Sequence, residues 1–133
     1  MEHLTHKTNI TGLINVGVPV SDQERAVEFY IDTLGFEKRR DAPFEGGRWI
    51  EVAPPGSVTS IALIPATDGQ SVGIDTGIRM ATIDAEADHE ALLAAGVDAD
   101  SEIIRMGDFV PPMFTFRDPD GNRLVVVEQA RGG

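Results

Sequence analysis

One order of elements occurs twice between Leu13 and Glu128, and this duplication constrains the fold more than any other feature of the sequence. LINVGVPV, Leu13 to Val20, is apolar and β-branched and reads as a buried strand. Ser21-Asp22-Gln23-Glu24 then has the pattern of a capping box, with Ser21 at the N-cap and Glu24 at N3. Ala26, Phe29, Tyr30 and Leu34 follow at helical spacing, and Gly35 offers the left-handed stop. Three strands are expected next, over Phe36 to Arg40, Gly47 to Val52 and Thr59 to Ile64. The last two are parted by Pro54-Pro55-Gly56.

The second half repeats this plan. Gly77 to Ile83 reads as a strand, Asp84 caps a helix that stops near Ala95-Gly96, and Val97 to Met106 contains a further strand. Met113 to Arg117 and Arg123 to Glu128 then flank the turn Asp118-Pro119-Asp120-Gly121, where proline presets φ and glycine tolerates a positive one. Asp22 and Asp84, like Gly35 and Gly96, lie about 62 residues apart. That spacing describes one duplicated βαβββ unit and not a solenoid, whose repeats are shorter and more numerous. The expected division is a mobile N-terminal tail over 1–12, a first module over 13–65, a linker over 66–76 and a second module over 77–129.

Composition narrows the function classes. A net charge of −11 argues against nucleic acid and anionic membrane surfaces as partners. The absence of cysteine removes disulfides, thiolate metal sites and cysteine nucleophiles. The start MEHLTHKTN lacks the apolar core of a signal peptide, and no apolar run approaches the roughly 20 residues that span a bilayer, so a cytoplasmic protein is expected.

INVGVPVSD leading into AVEFYIDTLGF, the LLAAGV helix end and DPDGN followed by a strand together resemble the vicinal oxygen chelate superfamily, the glyoxalase/bleomycin resistance protein/dioxygenase family. The resemblance covers Leu13 to Glu128. It implies an α+β fold: two βαβββ modules forming a cup-shaped, barrel-like curved sheet with helices outside, over a small-molecule cavity, commonly in a homodimer. Catalytic members place His, Glu or Gln at four strand positions around a divalent metal, which can chelate substrate oxygens or activate O₂. Carried onto this chain, those positions are Asn15, Ser60 or Ala62, Gly77 and Val125. They are poor ligands, so no metal or other cofactor is expected. Glu128, the nearby carboxylate, falls on the opposite face from Val125 by strand alternation.

The same alternation divides the remaining residues into a helix-facing and a cup-facing set. Asn15, Trp49, Glu51, Arg79, Met113, Thr115, Arg117, Val125 and Val127 fall on the cup side, and Phe109 belongs to a rim loop shaped by Pro111-Pro112. An apolar cavity with a few polar handles suits a small molecule. Trp49 could stack on a flat ring, Arg79 could receive an anion, and Glu51, if desolvated, could be a general base with a raised pKa. Glu51 and Arg79 could instead form an ion pair. His89 is expected to be solvated beside Asp88 and Glu90, and His3 and His6 to sit in the tail without a site.

Three functions remain. The first is a binding protein holding a small, partly aromatic or anionic molecule without a metal. The second is a metal-independent lyase, isomerase or hydrolase using Glu51. The third is a divalent-metal glyoxalase or extradiol dioxygenase with displaced ligands.

Overall fold

The computed structural model describes residues 7–67 and 70–129, so His3 and His6 lie outside the described residues. The first module runs β1 (Asn15–Val20), α1 (Gln23–Val27), β2 (Glu37–Phe44), β3 (Gly47–Ala53) and β4 (Ser60–Pro65). Its helix continues without a break as a π-helical stretch over Glu28–Thr33. The second module runs β5 (Asp75–Thr82), α2 (Ala85–Ala94), β6 (Asp98–Ala99), β7 (Met113–Arg117) and β8 (Arg123–Glu128). Each module forms its own four-stranded mixed sheet, in the order β1-β4-β3-β2 or β5-β8-β7-β6. Among the described residues no strand of one sheet pairs with the other, and neither sheet closes into a barrel.

The period-2 pattern sorts the side chains in both sheets. Val18, Val20, Ile50, Val52, Phe114, Phe116, Leu124 and Val126 are buried, while their neighbours Gly17, Trp49, Glu51, Thr115 and Val125 remain partly or fully exposed. The buried set of both modules joins Tyr30, Ala26, Ala85 and Val97 in one continuous core. Phe29 packs edge-on against Tyr30 and reaches Phe116 of the other module, with ring centroids 5.3 Å and 6.3 Å away. Ring packing therefore ties the first helix to both halves.

The DPDGN segment adds a polar clamp to that core. Asp118 is buried and its carboxylate accepts from Tyr30 Oη (2.9 Å), from the backbone N–H groups of Asp120 and Asn122, and from Asn122 Nδ2. Asn122, fully buried, also donates to the Pro19 carbonyl and accepts from the N–H groups of Gly73 and Ile74. Just outside, Asp120 accepts from Ser21 and from Arg25 Nη2. Gly121 turns the chain at φ +82°, where a side chain would be strained. One turn thus joins β1, the first helix and the chain leading to β5, and every buried polar atom in it has a partner.

Several expectations need correction. Asp22, not Ser21, is the N-cap of α1, accepting from Arg25 N–H, because Ser21 is engaged with Asp120. β2 extends to Phe44, paired along β3, and β6 shrinks to Asp98–Ala99, after which only Ile104 bridges to Met113. His89 is not solvated: it is buried, edge-on to Phe114, and its Nε2–H donates to the Asp100 carbonyl at 2.6 Å. The flanking Asp88 and Glu90 do not reveal this, since adjacent helical residues face different sides. No helix among the described residues is long and apolar enough to cross a membrane.

Candidate functional site

Register aligns the cup-side residues in rows. In the first sheet Gly17 stands opposite Ala62, Ala62 opposite Glu51, and Glu51 opposite Arg40. In the second, Arg79 stands opposite Val125 and Val125 opposite Thr115. Met113 faces Val127 one step along. These rows are equivalent under the duplication: Gly17 corresponds to Arg79, Ala62 to Val125 and Glu51 to Thr115. The same scaffold therefore carries an acid on its third strand in one module and a base on its first strand in the other.

Glu51 is the most constrained polar group of the two rows. Trp49 Nε1–H donates to its Oε2 at 2.7 Å, and Ser60 Oγ–H donates to its Oε1 at 2.8 Å. Strand alternation puts Trp49 on the same face two residues away, and the β3–β4 pairing brings up the buried Ser60. These hydrogen bonds stabilise the carboxylate, Trp49 first and Ser60 second, and outweigh partial burial, so the Glu51 pKa is lowered. The expected raised pKa is thus corrected, because the two donors favour the charged form over the neutral one.

The Glu51–Arg79 ion pair, the alternative to separate roles for the two residues, is absent among the described residues. Glu51 borders a cavity of about 790 Å³ with residues 9–14, Arg39, Val58, Thr59 and Ser60. Arg79 borders a second, of about 730 Å³, whose walls include Val16, Pro54, Ile61, Ile78 and Met80. The two cavities share Thr59 and Ser60, which sequence reasoning did not single out for this role. Ser57 and Thr59 at the mouth spend their hydroxyls on the carbonyls of Thr59 and Leu13. Arg79 itself is exposed and holds no ion pair among the described residues. Arg117, by contrast, is bound to Asp100 at 2.7 Å.

Trp49 packs edge-on against Phe44 at 6.4 Å, on the outer part of the first sheet. Met113, Thr115 and Val125 share the open face of the second sheet and are half-buried. Phe109 projects almost wholly into solvent, 99% exposed, in the segment between β6 and β7. Asn15 stands opposite Ser60 and its amide makes no hydrogen bond among the described residues. Within one chain these residues do not converge on a single enclosed cup.

The divalent metal implied by the family resemblance does not fit this donor set. Asn15 offers one amide oxygen, Ser60 a hydroxyl already given to Glu51, and Val125 nothing. Gly77, at φ +74°, occupies the register shift between Asp75 and Arg79, so it serves backbone geometry there. No group of three or more His, Cys, Asp or Glu among the described residues could hold a metal ion. Glu128 is likewise committed elsewhere: its Oε1 accepts from the Ala85 N–H at the start of α2.

Comparison with known proteins agrees with this architecture. The family model described as the Glyoxalase/Bleomycin resistance protein/Dioxygenase superfamily matches residues 12–126. The crystal structure of TnmS3, an antibiotic binding protein from a Streptomyces species, superposes with a TM-score of 0.81 at 34% identity, covering 92% of this chain and 99% of that one. A member of the same superfamily from Sphaerobacter thermophilus superposes at 0.83 with 35% identity, covering 90% of this chain and 98% of its own. An uncharacterized Bacillus subtilis protein, YetH, is 32% identical over 117 residues, which is 85% of this chain and 94% of YetH.

Proposed function

We propose that this chain, which belongs to the Glyoxalase/Bleomycin resistance protein/Dioxygenase superfamily, is a metal-independent binding protein that sequesters a small, partly aromatic compound. The observation that carries this reading is an apolar wall in place of a ligand set, with Glu51 (Arg40 opposite it) and Arg79 set apart on equivalent faces of the modules. Such a surface holds a molecule by shape and a few polar contacts without activating it. The likeness to TnmS3, an antibiotic binding protein, supports a drug-sized ligand.

The enzymatic alternative draws less support from the geometry. A carboxylate held in its ionised form by Trp49 and Ser60 is a weaker proton acceptor than the raised-pKa base that such chemistry favours.

A homodimer belongs to the same proposal. β1 ends one sheet and β5 the other, each with an outer edge unpaired among the described residues, and Met106 and Phe109 stand 68% and 99% exposed. A second copy that covers these edges would close the face that one chain leaves open.

The test is a calorimetric and thermal-shift screen of aromatic antibiotics in buffer containing a chelator. Binding should survive chelation, and Trp49→Ala or Arg79→Ala should weaken the best ligand by about tenfold, about 1.4 kcal/mol. Ligand binding that requires added metal, or that ignores both substitutions, overturns the reading. Sedimentation equilibrium should give twice the chain mass; a monomer at all concentrations removes the dimer.

A further inference from the structure

Resting on that reading of the site, we infer that the cavity beside Glu51 is a subsite for a protonated amine carried on an apolar body. Glu51 supplies the recognition. Each of its oxygens already accepts one hydrogen bond, from Trp49 at 2.7 Å or from Ser60 at 2.8 Å, and a carboxylate has further lone-pair positions to offer. The side chain is therefore fixed before a ligand arrives, which lowers the entropic cost of contacting it.

Among the described residues no cation takes up that capacity through a hydrogen bond or ion pair. Arg39, which also borders the cavity, donates to Glu37 at 3.0 Å, to the Pro54 carbonyl at 3.1 Å and to the Ser57 carbonyl. Arg40, opposite Glu51 in the β2–β3 register, makes neither a hydrogen bond nor an ion pair with it among the described residues. Its charge acts only at a distance, the smallest of the influences on Glu51. An ionised carboxylate bordering a cavity of about 790 Å³ thus has no directly bonded cation among the described residues.

The walls define the rest of the ligand. Ile10, Leu13 and Ile14 border the cavity and are 81%, 76% and 77% exposed, and Val58 is 90% exposed. The backbone that presents Leu13 and Ile14 is tied to the start of β4, since their carbonyls accept from Thr59 Oγ1 and Ser60 N–H. A fixed aliphatic wall beside a fixed carboxylate matches an amine on a hydrocarbon frame. The net charge of −11 adds an attraction for cations over the whole surface and repels anions. A carboxylate ligand would meet Glu51 as a like charge.

The protein carries one tryptophan, and its indole N–H is bonded to Glu51, so its emission reports directly on occupancy of this carboxylate. The full chain is titrated with cyclohexylmethylamine, cyclohexylmethanol and cyclohexanecarboxylate while Trp49 fluorescence is followed. The amine should bind more tightly than the alcohol by roughly tenfold, the scale of one charge-assisted hydrogen bond, and the carboxylate more weakly still. In Glu51→Gln, which keeps an oxygen for Ser60 and a similar shape, the amine and the alcohol should bind alike, with circular dichroism and melting confirming the fold.

Binding of the carboxylate in preference to the amine overturns the subsite while leaving a small-molecule binding protein in place. Unchanged amine preference in Glu51→Gln does the same. If none of the three probes binds and the antibiotic screen is also empty, both inferences fail together. If the antibiotic screen succeeds and these three probes do not bind, only the amine subsite falls.

Discussion

The two modules turn their chains toward the final strand by different means. In the first, Pro54-Pro55-Gly56-Ser57 closes on a backbone bond from Ser57 N–H to the Pro54 carbonyl, and the Pro54 and Ser57 carbonyls also accept from Arg39. In the second, Asp118 and Asn122 are drawn inside, where they gather Tyr30, Pro19, Gly73 and Ile74. The difference separates tasks within the duplicated plan. The first turn borders the cavity that Arg79 also lines, and the second fastens the modules together. A motif can thus be the clearest mark of a family and still serve to fasten the fold.

Substitution at equivalent distances from the turn should expose that separation. Asn122→Ala removes the acceptor of two backbone N–H groups and the donor to the Pro19 carbonyl, all at a position with no exposure. Buried groups left without partners cost about 1–3 kcal/mol each, so a loss of about 3 kcal/mol or more is expected. In differential scanning calorimetry this appears as a fall of roughly 10 °C in melting temperature. Ser57→Ala in the first turn loses one bond to the Thr59 carbonyl and should cost well under about 1 kcal/mol. Similar losses at the two positions would erase the distinction drawn between the turns.

Tyr30→Phe tests the clamp from its other side and should have an intermediate effect. The phenol donates to a buried carboxylate that retains three other donors, so a loss of about 2 kcal/mol is expected. The variant also has a signature in pH. Burial first, and then the charge and hydrogen bond of Asp118, raise the Tyr30 pKa far above its ordinary value of 10.0. A raised folded-state pKa contributes stability that is complete below pH 10.0 and is lost as pH rises beyond it, where the unfolded chain ionises. Urea denaturation of the wild type should therefore weaken with a steeper slope above that pH than denaturation of Tyr30→Phe.

Much of this organisation was legible in the sequence, and the exceptions have physical causes. Strand alternation placed Ile50 and Val52 inward and Trp49 and Glu51 together on the other face, because a period of two leaves no other choice in a half-buried sheet. The phase of Glu128 was readable for the same reason, and its oxygen caps α2. Contacts set by tertiary structure were not readable. Ser60 reaches Glu51 only through the β3–β4 register, and Tyr30 reaches Asp118 across 88 positions of sequence. Ser21 and Asp22 both qualify as N-caps, and Asp120, a residue 99 positions away, decides between them. Sequence also could not show that one chain leaves the two sheets unjoined, since every strand satisfies its own module first.

The smallest expected effect comes from the charged cluster on the first module, which looks like a second clamp but is built in solvent. Asp41 accepts from Arg48 at 2.6 Å and 3.0 Å and from Lys38 at 3.1 Å, and Arg48 also donates to Glu24 at 2.9 Å. Hydrogen bonds from Arg48 first, then Lys38, hold the Asp41 pKa at about 2 in place of 3.8. A depressed pKa contributes stability that is present above pH 3.8 and is lost as pH falls toward 2. Water and salt screen a pair this exposed, so its share of the stability at neutral pH is slight. Arg48→Ala should accordingly return the Asp41 carboxyl toward its ordinary range in an NMR titration, yet leave the melting temperature at pH 7 within about a degree. A large fall at neutral pH would mean that this cluster clamps the first module as Asp118 and Asn122 clamp the second. The two halves would then be fastened by charge and by buried polar bonds to the same degree, which the partial solvent access of Asp41 and Arg48, beside the full burial of Asn122, argues against.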